Sequence, residues 1–186
     1  MSKPFIHSNA IVETDDIGDD TRIWAFVHIL KGAKIGYGCN VCDHCYIEYD
    51  VIIGNNVTIK CGIYLWEGVR LEDDVFLGPN VVFTNNPRPR SKQRIVHLKT
   101  FVKQGASIGA NSTIMGGITI GKYAMTGIAS VVTRDVPDYA LVYGNPAKFK
   151  SWIDEQGQDL VMHEDGYWTS PDGIKFEETQ NGLKRK

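Results

Sequence analysis

Apolar residues recur at every sixth position along most of the chain. Neither the helical period of about 3.6 residues nor the alternation of a simple strand produces such a rhythm. The positions fall into two runs separated by an interruption. The first run is apolar throughout, and the second contains only one polar residue, Thr126. The positions are Phe5, Ile11, Ile17, Ile23, Ile29, Ile35, Val41, Ile47, Ile53, Ile59, Leu65, Leu71, Leu77 and Phe83, then Val102, Ile108, Ile114, Ile120, Thr126 and Val132. A sixfold period predicts a parallel β-helix, in which each six-residue unit forms one face of a triangular coil.

A second inward position follows four residues after each aliphatic. It holds small or β-branched residues, which suit the corners of a narrow, closely packed prism. Examples are Val27, Ala33, Cys39, Cys45, Val51, Val57, Ile63 and Val75. The run of hexads predicts between about six and seven coils, and a prism about 30 Å long at the usual strand spacing.

The repeat is interrupted between Phe83 and Val102, and residues 84–101 are predicted to form a loop extruded from one corner. Two prolines and several basic residues, among them Arg88, Arg90 and Lys92, argue against a buried coil there. A long loop on a rigid scaffold is a frequent place for functional residues. The alternative is a solvated, charged excursion without a function of its own.

The last part of the chain is predicted to cap the stack. Residues 1–148 form the β-helix domain in this interpretation, and residues 149–186 form a cap helix and tail. Residues 149–157 are expected to be a short helix ending at Gly157, which would cover the strand edges of the last coil. Asp-Gly pairs within residues 162–177 predict a small hairpin, and residues 181–186 are expected to fray.

Composition excludes some classes of partner. The chain has 186 residues and a formal net charge of −2, so it lacks the excess of basic residues expected of a protein that binds nucleic acid or anionic membranes. It has neither a long apolar run nor a signal peptide at its start, and we expect a cytoplasmic protein.

The four cysteines raise the question of a metal site. The spacing of Cys39, Cys42 and Cys45 superficially matches a metal knuckle. Cys39 and Cys45, however, occupy the small inward position, so core cysteines in a reducing compartment are the better interpretation and no metal is expected. The five histidines include no close pair, which argues against a β-helical zinc carbonic anhydrase.

Four segments resemble N-acetyltransferases that act on nucleotide-linked 3-amino sugars, which are hexapeptide-repeat acyltransferases. They are I-W-A-F-V-H-I (23–29), F-T-N (83–85), P-R-S-K (89–92) and G-N-P-A-K (144–148). The resemblance implies a left-handed β-helix, although parallel crossovers are usually right-handed. It also implies a homotrimer with active sites between neighbouring prisms, acetyl-CoA along the later coils, and the nucleotide sugar near the earlier coils and the loop.

Within that family, D-H-C-Y-I-E (43–48), K-C-G-I-Y-L-W-E-G (60–68) and P-R-S-K are more similar to enzymes of dTDP-3-amino-3,6-dideoxyhexoses. We therefore expect acetylation of the sugar 3-amino group for glycan assembly such as lipopolysaccharide biosynthesis. The alternative substrate is a UDP-3-amino-2,3-dideoxy-glucuronate. A more distant alternative is a non-catalytic β-solenoid scaffold, which CoA binding would distinguish.

Acyl transfer from a thioester to an amine needs a neutral amine, a proton acceptor and donors for the oxyanion. Asn85, at the mouth of the loop, is the first candidate to orient the amine or the carbonyl, although it can equally be a turn residue. His44 and Asp43, on an outward corner, are a candidate base or amine-orienting pair, or ordinary surface residues. The leaving sulfur of CoA can also take the proton.

Substrate-binding candidates lie on the same early coils and in the loop. His28 is expected to contact the sugar or a phosphate, or to be a packed polar residue. Trp66 is expected to stack on a base, a sugar or a neighbouring subunit. Arg88, Arg90 and Lys92 are candidates to clamp the diphosphate.

Cofactor-binding candidates follow from the family resemblance. Acetyl-CoA is expected to contact backbone groups of Gly127, Ala129 and Ser130. It is also expected to contact the turn formed by Asn145, Pro146, Ala147 and Lys148, with Lys148 at its phosphates.

Overall fold

The computed structural model describes residues 2–93 and 96–186, and every regular element within those ranges is a β-strand. The strands β1 to β13, which precede the loop, are Phe5–Ile6, Ile11–Val12, Arg22–Ile23, His28–Ile29, Lys34–Ile35, Asn40–Val41, Tyr46–Ile47, Ile52–Ile53, Thr58–Ile59, Tyr64–Leu65, Val69–Leu71, Phe76–Leu77 and Val82–Phe83. The strands β14 to β25 are Thr100–Val102, Ser107–Ile108, Thr113–Ile114, Thr119–Ile120, Met125–Thr126, Val131–Val132, Ala140–Gly144, Ala147–Trp152, Val161–Met162, Trp168–Thr169, Lys175–Thr179 and Gly182–Arg185.

The first twenty strands wind through three parallel sheets, which are the three faces of a prism. The first face has the order β1-β3-β6-β9-β12-β15-β18-β20, with β21 added at its edge. The second face is β2-β4-β7-β10-β13-β16-β19, and the third is β5-β8-β11-β14-β17. The sixfold period therefore predicts the fold correctly, and the arrangement is that of a left-handed parallel β-helix. The first face holds more strands than the predicted coil number because the coils at both ends are incomplete.

The inward positions of the hexads form one continuous core along the prism axis. From Ile23 to Val132 the repeat residues are almost completely buried. The predicted inward positions at Phe5 and Ile11 are wrong: 48% and 59% of their surface is exposed, because they lie in register with the outward-facing Arg22 and His28. Ile6 and Val12 stand opposite the inward Ile23 and Ile29 instead. The polar Thr126 is accommodated because its hydroxyl accepts the N–H of Gly109 at 3.1 Å.

Glycines directly after the repeat aliphatics have a steric role at the corners. A Cβ on Gly36 would collide with the carbonyl oxygen of Gly54 in the next coil, and one on Gly54 with Asp73. The left-handed backbone conformation falls two residues later, for example at Asn56 after Gly54 and at Asn80 after Gly78. These glycines permit close stacking of the coils rather than positive φ.

The predicted cap helix at residues 149–157 is wrong. Ala147–Trp152 is a strand that pairs antiparallel with Ala140–Gly144, and Asn145–Pro146 form the turn between them. Gly144, with φ of 106°, helps to reverse the chain at this turn. The hairpin provides hydrogen-bond partners for the backbone at the edge of the first face. Strand pairing, and not a helix, therefore caps the stack.

The predicted hairpin near the carboxyl terminus is part of a larger element. Strands β22 to β25 form a four-stranded antiparallel sheet. Phe176 and Leu183 from this sheet pack with Tyr139 and Leu160 in a second, smaller core. Gly182–Arg185 is paired with β24, so the expected fraying of residues 181–186 is wrong because Leu183 is anchored in that core.

The repeat resumes where the sequence predicts. Thr100 pairs with Val69, which returns the chain to the third face after the excursion. Arg94 and Ile95 lie outside the described residues, and residues 87–93 are exposed. No helix within the described residues is long and apolar enough to span a membrane.

The inward cysteines are core residues, as expected. Cys39 and Cys45 are buried and unbridged, whereas Cys61 is exposed. The thiol of Cys45 donates to the carbonyl of Lys60 at 3.2 Å. Burial raises the pKa of the Cys45 thiol to about 12, so it remains protonated.

Candidate active site

Outward-facing aromatic side chains line the early part of the second face. His28, Tyr46 and Tyr64 each precede an inward aliphatic, and they stand opposite one another because the strands stack in register. The His28 and Tyr46 rings are 5.6 Å apart, and the Tyr46 and Tyr64 rings 6.3 Å apart. Because the repeat stacks every eighteenth residue in register, these side chains, which are far apart in sequence, form one continuous row of aromatic rings.

The corners at both edges of this face complete an aromatic groove. Trp66, on the corner towards the third face, lies 5.7 Å from the Tyr46 ring and 5.9 Å from the Tyr64 ring. On the opposite corner, Phe26 and His44 stack at 5.0 Å with an interplanar angle of 11°. The resulting groove has a volume of about 430 Å³. Its aromatic walls are formed by Phe26, His28, His44, Tyr46, Tyr64 and Trp66.

His28 is held in place by a carboxylate. Its Nε2 lies 3.0 Å from Oε1 of Glu13 on the preceding coil, and both side chains are partly exposed. The hydrogen bond to His28 lowers the pKa of Glu13. The pair leaves the other ring nitrogen of His28 able to contact a ligand in the groove.

Asn85 lies where the chain leaves the second face for the loop. Its carbonyl accepts the N–H of Leu98 at 3.3 Å, so the two ends of the excursion are joined there. Gly116 on the next coil is so close that a Cβ would lie 2.9 Å from the Asn85 Cα. The backbone of Asn85 is therefore tightly confined, whereas its amide is half-buried at the loop mouth.

A polar cluster at the same corner was not predicted from the sequence. Nδ1 of His97 lies 2.9 Å from Oε2 of Glu67, and the Tyr49 hydroxyl donates to the same oxygen at 2.6 Å. Tyr49 and Glu67 are 18 residues apart, one coil, so their proximity could have been found from the period. His97 lies in the loop, where no period applies. We refer to these three residues as the Tyr49–Glu67–His97 cluster.

The charges of this cluster are well defined. The Tyr49 hydrogen bond holds the pKa of Glu67 below its usual value, and His97 acts in the same direction. The same bond to the Glu67 carboxylate raises the pKa of Tyr49 to about 12. Glu67 is therefore ionised and Tyr49 neutral around pH 7.

The three predicted catalytic residues do not meet within one chain. Asp43 and His44 lie on the corner between the first and second faces, whereas Asn85 follows the second face on its other edge. Within the described residues the Asp43 carboxylate forms no hydrogen bond with His44. The backbone carbonyl of Asp43 accepts the N–H of Gly62 at 3.2 Å. Their catalytic roles stay predictions.

The basic residues of the loop face solvent. Arg88, Arg90 and Lys92 are exposed, and none forms an ion pair within residues 2–93 and 96–186. The Arg90 guanidinium donates to the carbonyl of Pro89 at 3.1 Å. These cations are available to an anionic ligand.

A second cavity, of about 550 Å³, lies at the end of the stack. Pro146, Ala147 and Lys148, three of the predicted cofactor residues, line it together with Arg134. The other lining residues are Val132, Asp135, Val136, Pro137, Val142, Phe149 and Trp152. The exposed Asn145 lies at the tip of the adjoining hairpin. An apolar wall with two basic side chains is suited to a long ligand that carries phosphate groups.

The remaining cofactor candidates lie on a corner between the first and second faces. The N–H groups of Gly127 and Ala129 donate to the carbonyls of Val142 and Ala110, both at 2.8 Å. The buried Ser130 hydroxyl donates to the Gly127 carbonyl at 2.7 Å. These donors are used within the chain, so a ligand at this corner would meet carbonyl groups and the surface of the coil.

Comparison with known proteins decides the family. Residues 50–85 match the family model described as bacterial transferase hexapeptide (six repeats). A relative from Aneurinibacillus thermoaerophilus, dTDP-3-amino-3,6-dideoxy-alpha-D-galactopyranose 3-N-acetyltransferase, is 66% identical over 155 residues, or 80% of this chain and 78% of the relative. The chain belongs to the hexapeptide-repeat N-acetyltransferases of nucleotide-linked 3-amino sugars. The resemblance inferred from the four sequence segments is thereby confirmed, and the chain is an acyltransferase.

Other proteins that are similar to this chain are more distant. The galactoside O-acetyltransferase of Lactococcus lactis is 28% identical, over 70% of this chain and 68% of that protein. The solved maltose O-acetyltransferase of Clostridium difficile has a TM-score of 0.55 and 26% identity, over 62% of this chain and 67% of that one. A solved Bacillus cereus protein, described as a putative acetyltransferase, has a TM-score of 0.59 and 24% identity, over 83% and 81% of the two chains, and shows the common fold.

Proposed function

We propose that the protein transfers the acetyl group of acetyl-CoA to the 3-amino group of a dTDP-linked 3-amino-3,6-dideoxyhexose. The observation that carries this proposal is the 66% identity over 155 residues to the enzyme that acts on the galacto-configured sugar. We therefore take the galacto compound as the first substrate to test. The product would enter glycan assembly such as lipopolysaccharide biosynthesis, and we propose a cytoplasmic location for the reaction.

The acceptor half of the site is the aromatic groove with the neighbouring loop. Trp66, Tyr46 and Tyr64 offer flat surfaces on which a pyrimidine base or the apolar face of a deoxysugar can stack. Arg88 and Arg90 are exposed cations that suit a diphosphate. The amide of Asn85, at the loop mouth, can orient the amine or the thioester carbonyl.

The donor half is the cavity at the end of the stack. Its apolar wall, including Val142, Phe149 and Trp152, is suited to the pantetheine arm, and Lys148 and Arg134 are suited to phosphates. Acetyl-CoA supplies the thioester that the amine attacks. The residues of this chain bind and orient it, and the Asn85 amide is the candidate donor to the tetrahedral oxyanion.

A homotrimer with active sites between chains is part of the proposal. The aromatic groove belongs to early coils, whereas Val132–Trp152 surrounds the donor cavity at the other end of the stack. Ile11 and Val82 on the second face are 59% and 49% exposed. A neighbouring chain over this face would cover such apolar surface and bring its own later coils to the groove.

The test is release of the CoA thiol from acetyl-CoA with different acceptors side by side. The acceptors are dTDP-3-amino-3,6-dideoxygalactose, its gluco epimer and a UDP-3-amino-2,3-dideoxy-glucuronate, with a dTDP-6-deoxyhexose that lacks the amine as control. We expect turnover with a dTDP amino sugar and none with the control. Turnover with the UDP sugar alone would reverse the substrate assignment, and binding of CoA without turnover of any acceptor would require another amine.

A further inference from the structure

One inner edge of the prism changes from apolar to polar at the last coils. The inward residues that directly precede the strands of the second face form a row along this edge, because those strands pair in register. All members of the row are buried, and the last two are serines. The row is Val27, Cys45, Ile63, Val81, Ser112 and Ser130. The hydroxyl groups therefore appear where the stack approaches the donor cavity.

The hydroxyls of Ser112, Thr126 and Ser130 form a buried network around one backbone carbonyl. Both serine hydroxyls donate to the carbonyl of Gly127, Ser112 at 3.1 Å and Ser130 at 2.7 Å. The Thr126 hydroxyl donates to Oγ of Ser112 at 3.5 Å. Burial of a hydroxyl costs free energy that an aliphatic residue in the same row avoids. Filling the prism therefore does not by itself explain these residues.

Ser130 connects the network to the hairpin turn that caps the stack. Val142 is the last residue of β20 that pairs with β18, and its carbonyl accepts the N–H of Gly127 at 2.8 Å. Two residues further on, Oγ of Ser130 accepts the N–H of Gly144 at 3.3 Å. The hydroxyl thus bridges the Gly127 carbonyl and the Gly144 N–H. It continues the link between the coils where direct strand pairing ends.

We propose that Ser130 is a positioning residue for the donor half of the site: its hydroxyl holds Gly144 and thereby the turn that lines the donor cavity. The inference rests on the proposed function, because that cavity is taken to receive acetyl-CoA. Ser130 is completely buried, so its hydroxyl acts from behind the turn and not on the ligand. This role differs from the backbone contact to acetyl-CoA predicted from the sequence.

The turn depends on such a restraint because it stands out from the stack. Gly144, Asn145 and Pro146 are exposed, and Gly144 has φ of 106°, in the left-handed region. Glycine has much conformational freedom to lose. The hydrogen bond to Ser130 fixes the start of the turn and so the direction in which Lys148 leaves it. A binding group that is already held in place loses less entropy when the ligand arrives.

A buried hydroxyl near the other end of the prism provides a matched comparison. The Thr21 hydroxyl donates to the carbonyl of Gly36 at 2.7 Å and accepts the N–H of Cys39 at 3.0 Å. Like Ser130 it is completely buried and bridges a carbonyl and an N–H. It lies in the early coils, whereas the donor cavity is lined by residues between 132 and 152. Its removal measures what the loss of such a bridge does to stability alone.

The experiment compares Ser130→Ala and Ser130→Thr with the wild type, and uses Ser112→Ala and Thr21→Val as controls. Calorimetric titration gives the Kd for CoA and for dTDP, and thermal unfolding gives the midpoint. We expect Ser130→Ala to raise the Kd for CoA by about threefold to tenfold, because loss of one hydrogen bond lowers the fraction of molecules whose turn is ready to bind. The Kd for dTDP should not change. In the thiol-release assay the KM for acetyl-CoA should rise by a similar factor, with little change in kcat.

The other variants separate the hydroxyl from general packing. Ser130→Thr keeps the hydroxyl, and threonine already occupies an equivalent inward position at Thr21, so this variant should keep the wild-type Kd for CoA. Ser112 bonds to the same Gly127 carbonyl but, within residues 2–93 and 96–186, not to Gly144. Ser112→Ala and Thr21→Val should therefore lower the thermal midpoint and leave the affinity for CoA unchanged.

Hydrogen exchange measures the attachment of the turn without any ligand. The N–H of Gly144 should exchange about threefold to tenfold faster in Ser130→Ala than in the wild type, and at the wild-type rate in both control variants. Unchanged affinity for CoA in Ser130→Ala would overturn the proposal, as would an equal loss of affinity in the controls. A Ser130→Thr variant with a wild-type midpoint but weakened CoA binding would also overturn it. If the wild type binds no CoA, the proposed function has failed instead, and exchange at Gly144 still decides whether Ser130 holds the turn.

Discussion

Replacement of Trp66 by alanine tests the assignment of the aromatic groove most directly. The indole lies on the corner after β10, between the Tyr46 ring at 5.7 Å and the Tyr64 ring at 5.9 Å. It is partly buried against the main core, so its position is defined by packing. Truncation removes one wall of the groove and leaves the strand register unchanged.

Two free-energy changes are expected from Trp66→Ala, and they are measured separately. Stacking of a base on an aromatic side chain contributes about 1–3 kcal/mol, so the Kd for the nucleotide should rise by about 5–150-fold. The two aromatic contacts of Trp66 contribute about 0.5–1.5 kcal/mol each to folding. The free energy of unfolding should therefore fall by at least about 1–3 kcal/mol, because the apolar area that the indole buries against the core is lost as well.

The assay is calorimetric titration of dTDP and, separately, of CoA into the wild type, Trp66→Ala and Trp66→Phe. Trp168→Phe is the control, because Trp168 is also half-buried but lies in the carboxyl-terminal sheet, where it donates to Glu178 at 3.1 Å. Weaker dTDP binding with unchanged CoA binding supports the acceptor groove, and Trp66→Phe should recover part of the affinity. Unchanged dTDP affinity in Trp66→Ala, together with a lower thermal midpoint, would refute the reasoning and leave Trp66 as a packing residue. If the wild type forms the proposed trimer, its dissociation in Trp66→Ala, measured by light scattering, would instead assign the indole to a subunit contact.

The remaining predictions concern the loop mouth, the donor cavity and the core thiols. Asn85→Ala should lower turnover in the thiol-release assay by more than about tenfold without a change in oligomeric state; near-normal kinetics would remove Asn85 from the site. Lys148→Ala should raise the KM for acetyl-CoA by about fivefold to tenfold, whereas Lys150→Ala on the same strand, whose ammonium lies 5.5 Å from the Tyr143 ring, should not. A thiol reagent should modify the exposed Cys61 in the native protein, but Cys45, whose pKa burial raises to about 12, only after unfolding. Rapid native modification of Cys45, mapped by mass spectrometry, would contradict its place in the core.

The C-terminal cap illustrates why local sequence was insufficient. Residues 149–157 are compatible with a short amphipathic helix when they are considered alone. In the folded chain the turn at Asn145–Pro146 places β21 beside β20, where it pairs with backbone groups on the outer edge of β20 that would otherwise lack partners. Strand pairing with an edge that only the completed stack presents outweighs the local preference.

Only the part of the candidate site that lies on the coils could be predicted from the sequence, because the rest depends on contacts that form only in the folded chain. Residues on the coils, such as His28, His44 and Trp66, are brought to one groove by the period, and their proximity can be worked out from their spacing. The loop has no such rule. The attachment of His97 to Glu67 depends on how the excursion returns across Gly68 and Asn85, which only the tertiary structure decides.

The hexad pattern by itself determined the β-helix, the inward residues from Ile23 onwards, the site of the excursion and, with the short motifs, the acyltransferase family. These properties follow from a repeated local rule, because each six-residue unit buries the same two positions and stacks on the next. The tertiary structure decided the cap, the carboxyl-terminal sheet and the Tyr49–Glu67–His97 cluster. Those depend on contacts between segments that share no repeat, where packing and hydrogen bonding across the fold select one arrangement among several that the local sequence allows.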